Sequence, residues 1–380
     1  MRWIHGRWPF GLLVCLTLAA GPAFAQVTPT PTTPPPDDNP SVRVGGTLFA
    51  DFTKTFAPEI TDAGGATVSP SAFNVSRAYI NLTGQLNHLF AFRITPDIVR
   101  ETGPGSSVAG SMTLRLKYGY AQMNLDDWLW RGTFVRGGLI QTPYVDFEET
   151  VYRYRFQGGV FAEREGYVTS SDYGAIGRTL LPRGYGEIYG GVYNGEGFAR
   201  ADPNDQKAFE IRGTIRPFPS GNLSRGLRLT GFQMSDHSVK DADRRRTIGL
   251  VSFEHRYLNM AWSWLEAVDQ ATPSARRVPA RGQSFWITPR LPLGPAPVAP
   301  PAGVVRASLE GLVRYDRLEP DRDRNGRKQR WLAGVAYWPR MRSASYSAAF
   351  LLDYEQVTYE AFDPPRPDER RLALHMLVAF

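Results

Sequence analysis

The chain ends in Glu369-Arg-Arg-Leu-Ala-Leu-His-Met-Leu-Val-Ala-Phe380, a stretch that puts Leu372, Leu374, Met376, Val378 and Phe380 on one face of an extended strand. Side chains of a strand alternate between its two faces, so an apolar residue at every second position describes a segment greasy on one side only. The same period runs upstream. Val42, Val44, Leu48, Ala50 and Phe52 oppose Arg43, Thr47, Asp51 and Thr53, and Ala78, Ile80, Leu82 and Leu86 oppose Arg77, Tyr79, Asn81 and Gln85. Phe90, Phe92, Ile94 and Ile98 oppose Arg93, Thr95 and Asp97, while Leu114, Leu116, Tyr118 and Tyr120 oppose Thr113, Arg115 and Lys117.

Carried along the chain, the pattern predicts strands near 42–56, 72–86, 89–99, 111–125, 131–141, 172–181, 184–195, 206–217, 226–236, 246–257, 260–268, 281–291, 304–318, 329–339, 344–358 and 369–380. Sixteen is an even number, as a closed barrel with both ends on one side of a membrane requires. The connections alternate as well. Asn87-His88, Pro182-Arg183 and Leu258-Asn259 are tight, whereas 57–71, 100–110, 142–171, 196–205, 237–245 and 319–328 are long and polar. Short turns on one rim and long loops on the other are the habit of outer-membrane barrels. One connection breaks the alternation, the Pro-rich 292–303. A soluble sandwich would alternate too, but it would need a dry core, and here one face is too charged for that while the other is too apolar for water. The expected fold is therefore all-β: a transmembrane, antiparallel, up-and-down barrel over 42–380.

Composition agrees: 12% aromatic residues, 37 Gly and 30 Pro suit a turn-rich, strand-rich chain. Nothing after residue 25 is apolar for long enough to span a bilayer as a helix. Residues 1–25 carry Arg2 and Arg7, then an apolar stretch from Trp8 to Ala20, then Ala23-Phe24-Ala25, the layout of a secretory leader. Its apolar run is short for a membrane anchor, and Val14 before Cys15 does not suit a lipoprotein site. Residues 26–41, mostly Thr, Pro, Asp and Asn, read as an extended periplasmic linker with no core of its own. Cys15 is the single cysteine, so a chain cleaved after residue 25 has none and takes its stability from the closed hydrogen-bonded wall. The 44 basic residues less Arg2 and Arg7, set against 37 acidic ones, leave that chain at +5. The excess is mild and lacks the dense basic run of a nucleic-acid binder.

Several stretches, in order, resemble the phosphate-selective porin O and P family. They are Ser76-Arg77-Ala78-Tyr79-Ile80-Asn81-Leu82-Thr83-Gly84, Phe92-Arg93-Ile94-Thr95-Pro96-Asp97, Gly137-Gly138-Leu139-Ile140-Gln141-Thr142-Pro143, Tyr189-Gly190-Gly191-Val192-Tyr193-Asn194-Gly195 and Glu310-Gly311-Leu312-Val313-Arg314-Tyr315. The resemblance spans about 43–380. It implies a sixteen-stranded homotrimeric channel whose third loop folds inward and narrows the pore. It also implies phosphate selectivity through lysines, and there the chain departs: its lysines are only Lys54, Lys117, Lys207, Lys240 and Lys328, and arginine predominates. The terminal strand, through Leu372, Leu374, Met376, Val378 and Phe380, likewise resembles the segment that the barrel-assembly machinery recognises.

A barrel of this size leaves a water-filled lumen, so passage of small hydrophilic solutes would need neither fuel nor a moving cycle. On the period-two reading Arg77, Arg93, Arg115, Lys117, Arg136, Arg212, Arg216, Arg228, Arg306 and Arg314 point inward, where they would concentrate small anions. Asp51, Asp97, Glu187, Glu210, Glu254, Glu310, Asp353 and Glu355 share that face, so pairing across the wall competes with solute contact. The third loop brings Glu148, Glu149, Arg153, Arg155, Glu163, Arg164 and Glu165, whose opposed charges would set a transverse field at a constriction. Besides solute and outer-membrane lipid, no cofactor or metal is expected. His88, His237, His255 and His375 lie beside no Ser-rich motif and at no metal-ligand spacing, which argues against a barrel enzyme. A non-conducting barrel acting as anchor or adhesin stays open.

Overall fold

The computed structural model describes residues 38–103, 106–237, 239–294, 305–341 and 345–380. The leader 1–25, most of the linker 26–41 and most of the connection 292–303 lie outside them; the linker has already given way to strand at Ser41. Among the described residues, sixteen antiparallel strands close into one barrel. They are β1 (Ser41–Ala57), β2 (Ser71–Gln85), β3 (Phe90–Arg100), β4 (Met112–Asn124), β5 (Phe134–Gln141), β6 (Ser171–Leu181), β7 (Gly186–Tyr193) and β8 (Ala208–Ile215). The second half is β9 (Leu227–Asp236), β10 (Arg244–His255), β11 (Leu258–Asp269), β12 (Val278–Pro292), β13 (Ser308–Glu319), β14 (Arg327–Trp338), β15 (Ser347–Glu360) and β16 (Glu369–Ala379). Each strand pairs with its sequence neighbours, and β1 closes the ring on β16 with Thr47 opposite Ala379 and Thr53 opposite Ala373. Gly46 and Phe380 exchange two backbone hydrogen bonds of 3.0 Å at the seam, so the wall has no free edge.

The alternation holds along most of the wall. Leu372, Leu374, Val378 and Phe380 are exposed on the outer face while Ala373, His375 and Leu377 are buried on the inner one. Trp262, Val313, Trp331, Leu352 and Tyr354 continue the apolar exterior. Three readings need correction. A bulge lies in the β3–β4 pairing, where Pro96 opposes Leu116 but Thr95 opposes Tyr118, leaving Lys117 as the extra residue. One extra residue reverses the parity, so Tyr118 and Tyr120 face the lumen with Thr95 and Arg93, not the exterior with Leu114. Arg306 precedes β13 and bonds to the carbonyls of Leu293 and Gly294 instead of lining the lumen. The tight turn placed at Leu258-Asn259 falls two residues earlier, at Arg256-Tyr257.

The third loop folds into the barrel. Between β5 and β6 the chain forms α1 (Pro143–Val151), with Pro143 in its first turn, and the short α2 (Phe161–Arg164). Tyr144, Val145, Val151, Tyr152, Tyr154, Val160 and Phe161 are almost wholly buried against Ile248, Leu250, Leu265, Trp286, Leu312, Leu332 and Leu351 of the inner wall. Those wall residues would face water in an empty barrel. Each large apolar side chain covered contributes about 1.5–3 kcal/mol, so the loop and the wall of β9–β15 need each other.

Candidate functional site

Docking of the loop divides the inner-wall arginines into a set buried beneath it and a set that stays partly exposed; the wall that carries the second set is the open side. Arg212, Arg228 and Arg314 are 1–2% exposed, sealed under the loop with acidic partners. Arg212 pairs with Glu187 at 2.7 Å, Arg228 with Glu254, and Arg314 with Asp316 at 2.9 Å, while a second Arg314 nitrogen donates to Gly159 O at 3.0 Å. Arg212 and Arg314 are therefore structural, and the expectation that they line the water path does not survive.

The loop is fastened by the same chemistry. Glu310 of β13 accepts from Arg153 at 3.0 Å, from the Tyr154 hydroxyl at 2.8 Å and from Arg290 at 2.5 Å. Arg164 pairs with Glu355 at 3.2 Å, and Glu165 takes Lys328 at 2.8 Å and Arg330 at 3.3 Å. Arg246 donates to Tyr167 O at 2.8 Å. Of the loop's predicted charges, Arg153 and Arg164 thus point to the wall. Glu148 is buried on α1.

On the open side, β2 to β5 carry Arg77, Arg93, Arg115 and Arg136, all of them partly exposed; the Arg115 side chain reaches 34%. One carboxylate serves two of them: Asp97 Oδ2 lies 3.2 Å from Arg77 Nη1 and 3.0 Å from Arg115 Nε. The other two are held by neutral oxygens. Arg93 donates to Thr95 Oγ1 at 2.9 Å and Asn81 Oδ1 at 3.0 Å, and Arg136 to Gln122 Oε1 at 2.7 Å and Gln141 Oε1 at 3.3 Å. Lys117, in the bulge, reaches the Ser170 hydroxyl at the loop's far end. Four guanidiniums against one Asp97 leave this wall net positive, with Lys117 buried beside them.

Facing it is the outer edge of the loop. Arg155 sits between Glu149, at 2.6 Å, and Glu163, at 3.0 Å, and Asp146 lies within Coulombic range of Arg136 and Arg212. The loop edge thus carries Asp146, Glu149 and Glu163 against Arg155, and Asp146 was not among the predicted loop charges.

Tyr118, Tyr120 and Phe198 were also missed. Their rings stack on the wall cations: Arg93 is 4.5 Å from the Tyr118 centroid, Arg136 4.6 Å from that of Tyr120, and Arg115 4.6 Å from that of Phe198. The available signal was Pro96, which cannot donate to a ladder and so marks a bulge in an interior strand. Among the described residues, no three acidic, histidine or cysteine side chains are placed to hold a metal ion. His375 instead pairs with Asp353 at 2.9 Å within the wall.

A closed sixteen-stranded barrel with a loop docked inside it, apolar without and charged within, defines the fold class of the outer-membrane porins. No family model matches the chain, and no curated protein matches it in sequence. Among solved structures it is similar to the outer-membrane-expressed OmpT of Vibrio cholerae, at 12% identity and a TM-score of 0.57, with 90% of this chain and 99% of that one covered. The outer membrane channel DcaP of Acinetobacter baumannii superposes at 12% identity and a TM-score of 0.54, covering 90% and 98%. OprB of Pseudomonas putida does so at 10% and 0.54, covering 89% and 94%. At such identities the likeness is one of fold.

Proposed function

We propose that the chain is an outer-membrane porin, exported by a leader cleaved after residue 25, that lets small hydrophilic anions diffuse through a water-filled path between the β2–β5 wall and the third loop. The observation that carries this is the excess of Arg77, Arg93, Arg115 and Arg136, all partly exposed, over the single carboxylate of Asp97 on that wall, while each arginine beneath the loop is buried against an acidic partner. An anion in the path loses water but gains guanidinium N–H groups, and a cation meets only repulsion along that wall. Selectivity is weakly anionic, because Asp146, Glu149 and Glu163 stand opposite. Phosphate is among the candidate solutes through the family resemblance, with arginine in the place of lysine.

A homotrimer fits this reading: the resemblance implies one, and a solved form of OmpT, similar in fold, is described as a trimer. The terminal strand ending at Phe380 would be the handle for the barrel-assembly machinery. The extent of loop packing favours a narrow channel and keeps a non-conducting anchor as the rival. Planar-bilayer recording in chloride with added phosphate separates them: stepwise current reduced by phosphate supports the porin, and a membrane that never conducts supports the anchor.

A further inference from the structure

We propose that the open wall is a binding ladder for planar organic anions, aromatic monocarboxylates of the benzoate type, which it takes in preference to compact hydrated anions such as phosphate. The inference rests on the channel reading and names its solute class.

Every cation of this wall has an aromatic partner. Besides the three stacks already described, Arg136 lies 4.2 Å from the Phe134 centroid, Lys117 lies 4.3 Å from that of Phe198, and Arg77 lies 5.9 Å from that of Tyr79. The rings come from β2, β4, β5 and the loop after β7, so no single strand's periodicity produces the interleaving. Two of them, Tyr118 and Tyr120, face the lumen only because the bulge at Lys117 reverses the parity of β4. Bulges recur where a side chain must be re-aimed beside a site.

A guanidinium has polar edges and weakly hydrated faces. Stacked on a ring, it presents its remaining N–H edge and a flat, poorly hydrated surface toward the lumen. The edges are not exhausted here, since Arg115 uses only Nε, on Asp97, and Arg93 and Arg136 each use Nε and one Nη on neutral oxygens. Phosphate can use such edges but gains nothing from the faces or the rings. A benzoate uses both, its carboxylate on the edges and its ring against Tyr118, Tyr120 or a guanidinium face. One added stacking contact per bound ion corresponds to roughly tenfold tighter occupancy.

The test records chloride current through the purified full-length protein in planar bilayers while benzoate, cyclohexanecarboxylate or inorganic phosphate is added. Cyclohexanecarboxylate matches benzoate in charge and bulk but has no π face, which also controls for partition into the lipid. Benzoate is expected to halve the current at about one tenth of the concentration that either other anion needs, and Tyr118→Leu with Tyr120→Leu to abolish that advantage. Should this double variant fail to fold, the comparison of the three anions on the unmodified protein decides alone. Equal block by benzoate and cyclohexanecarboxylate, or tighter block by phosphate, in a channel that conducts and prefers anions would overturn the ladder and leave the channel standing. Absence of stepwise current would overturn both.

Discussion

Glu310→Gln should release the third loop without opening the barrel. The Glu310 side chain is 0% exposed and holds two guanidiniums and the Tyr154 hydroxyl, joining residues 153 and 154 of the loop to β13. Glutamine keeps the shape but removes the charge, and its amide nitrogen would face Arg153 or Arg290, donor against donor. Removing one partner of a buried ion pair costs about 3–5 kcal/mol. Arg153 is one-third exposed, which places the loss near the lower limit, at about 3 kcal/mol. That raises the population of the undocked loop by about 150-fold. Trypsin reads it directly, because Arg153, Arg155 and Arg164 become cleavable only in the undocked state, and cleavage follows the open population when opening is fast. Tryptic cutting between residues 153 and 164 should accelerate by about two orders of magnitude in detergent-solubilised protein, whereas Glu360→Gln, which removes an exposed pair with Arg327 at the rim, should leave it unchanged. Cleavage within a factor of three of the unmodified protein would refute the idea that Glu310 fastens the loop.

Arg93→Gln with Arg136→Gln should weaken anion preference: a charge about 7 Å from the permeating ion contributes about 0.3 kcal/mol after screening at 0.1 M salt, so losing both lowers the anion-to-cation permeability ratio by roughly eightfold. Arg245→Gln, on the outer face, should not change it, and equal effects of the two would remove the wall from the path. At the short-turn rim His88 bridges Asp38, at 2.5 Å, and Asp127, at 3.1 Å; these carboxylates raise its pKa above the ordinary 6.5. A raised histidine pKa means that the clasp is complete below pH 6.5 and is lost as pH rises through the raised value. NMR titration of His88 should place its midpoint above 6.5, and a midpoint at or below that would show no clasp. Removing Phe380 should lower insertion in cells far more than refolding into detergent, and parallel losses would mean that the residue serves the seam beside Gly46 rather than recognition by the assembly machinery.

The number of strands and their outer faces were legible because burial on one side imposes a period of two that any short segment displays. Leu372 to Phe380 shows it without help from the rest of the chain. The inward loop was suggested by resemblance, and its reason is visible in residues 144–161, whose aromatic density suits a core rather than a solvated loop. What the sequence could not give was set by contacts far apart in the chain. Whether Arg314 meets water depends on the docking of Gly159, 155 residues away, and whether Arg153 is a pore charge or a fastener depends on Glu310, 157 residues away. Tyr118 and Tyr120 were lost for a local reason, since a single bulged residue reverses every assignment beyond it and only Pro96 hinted at one.

The most direct test of the arginine wall is the reversal potential of single channels in a potassium chloride gradient. A sign set by chloride, with discrete conductance steps, is the expected result; a potential set by potassium would contradict the account.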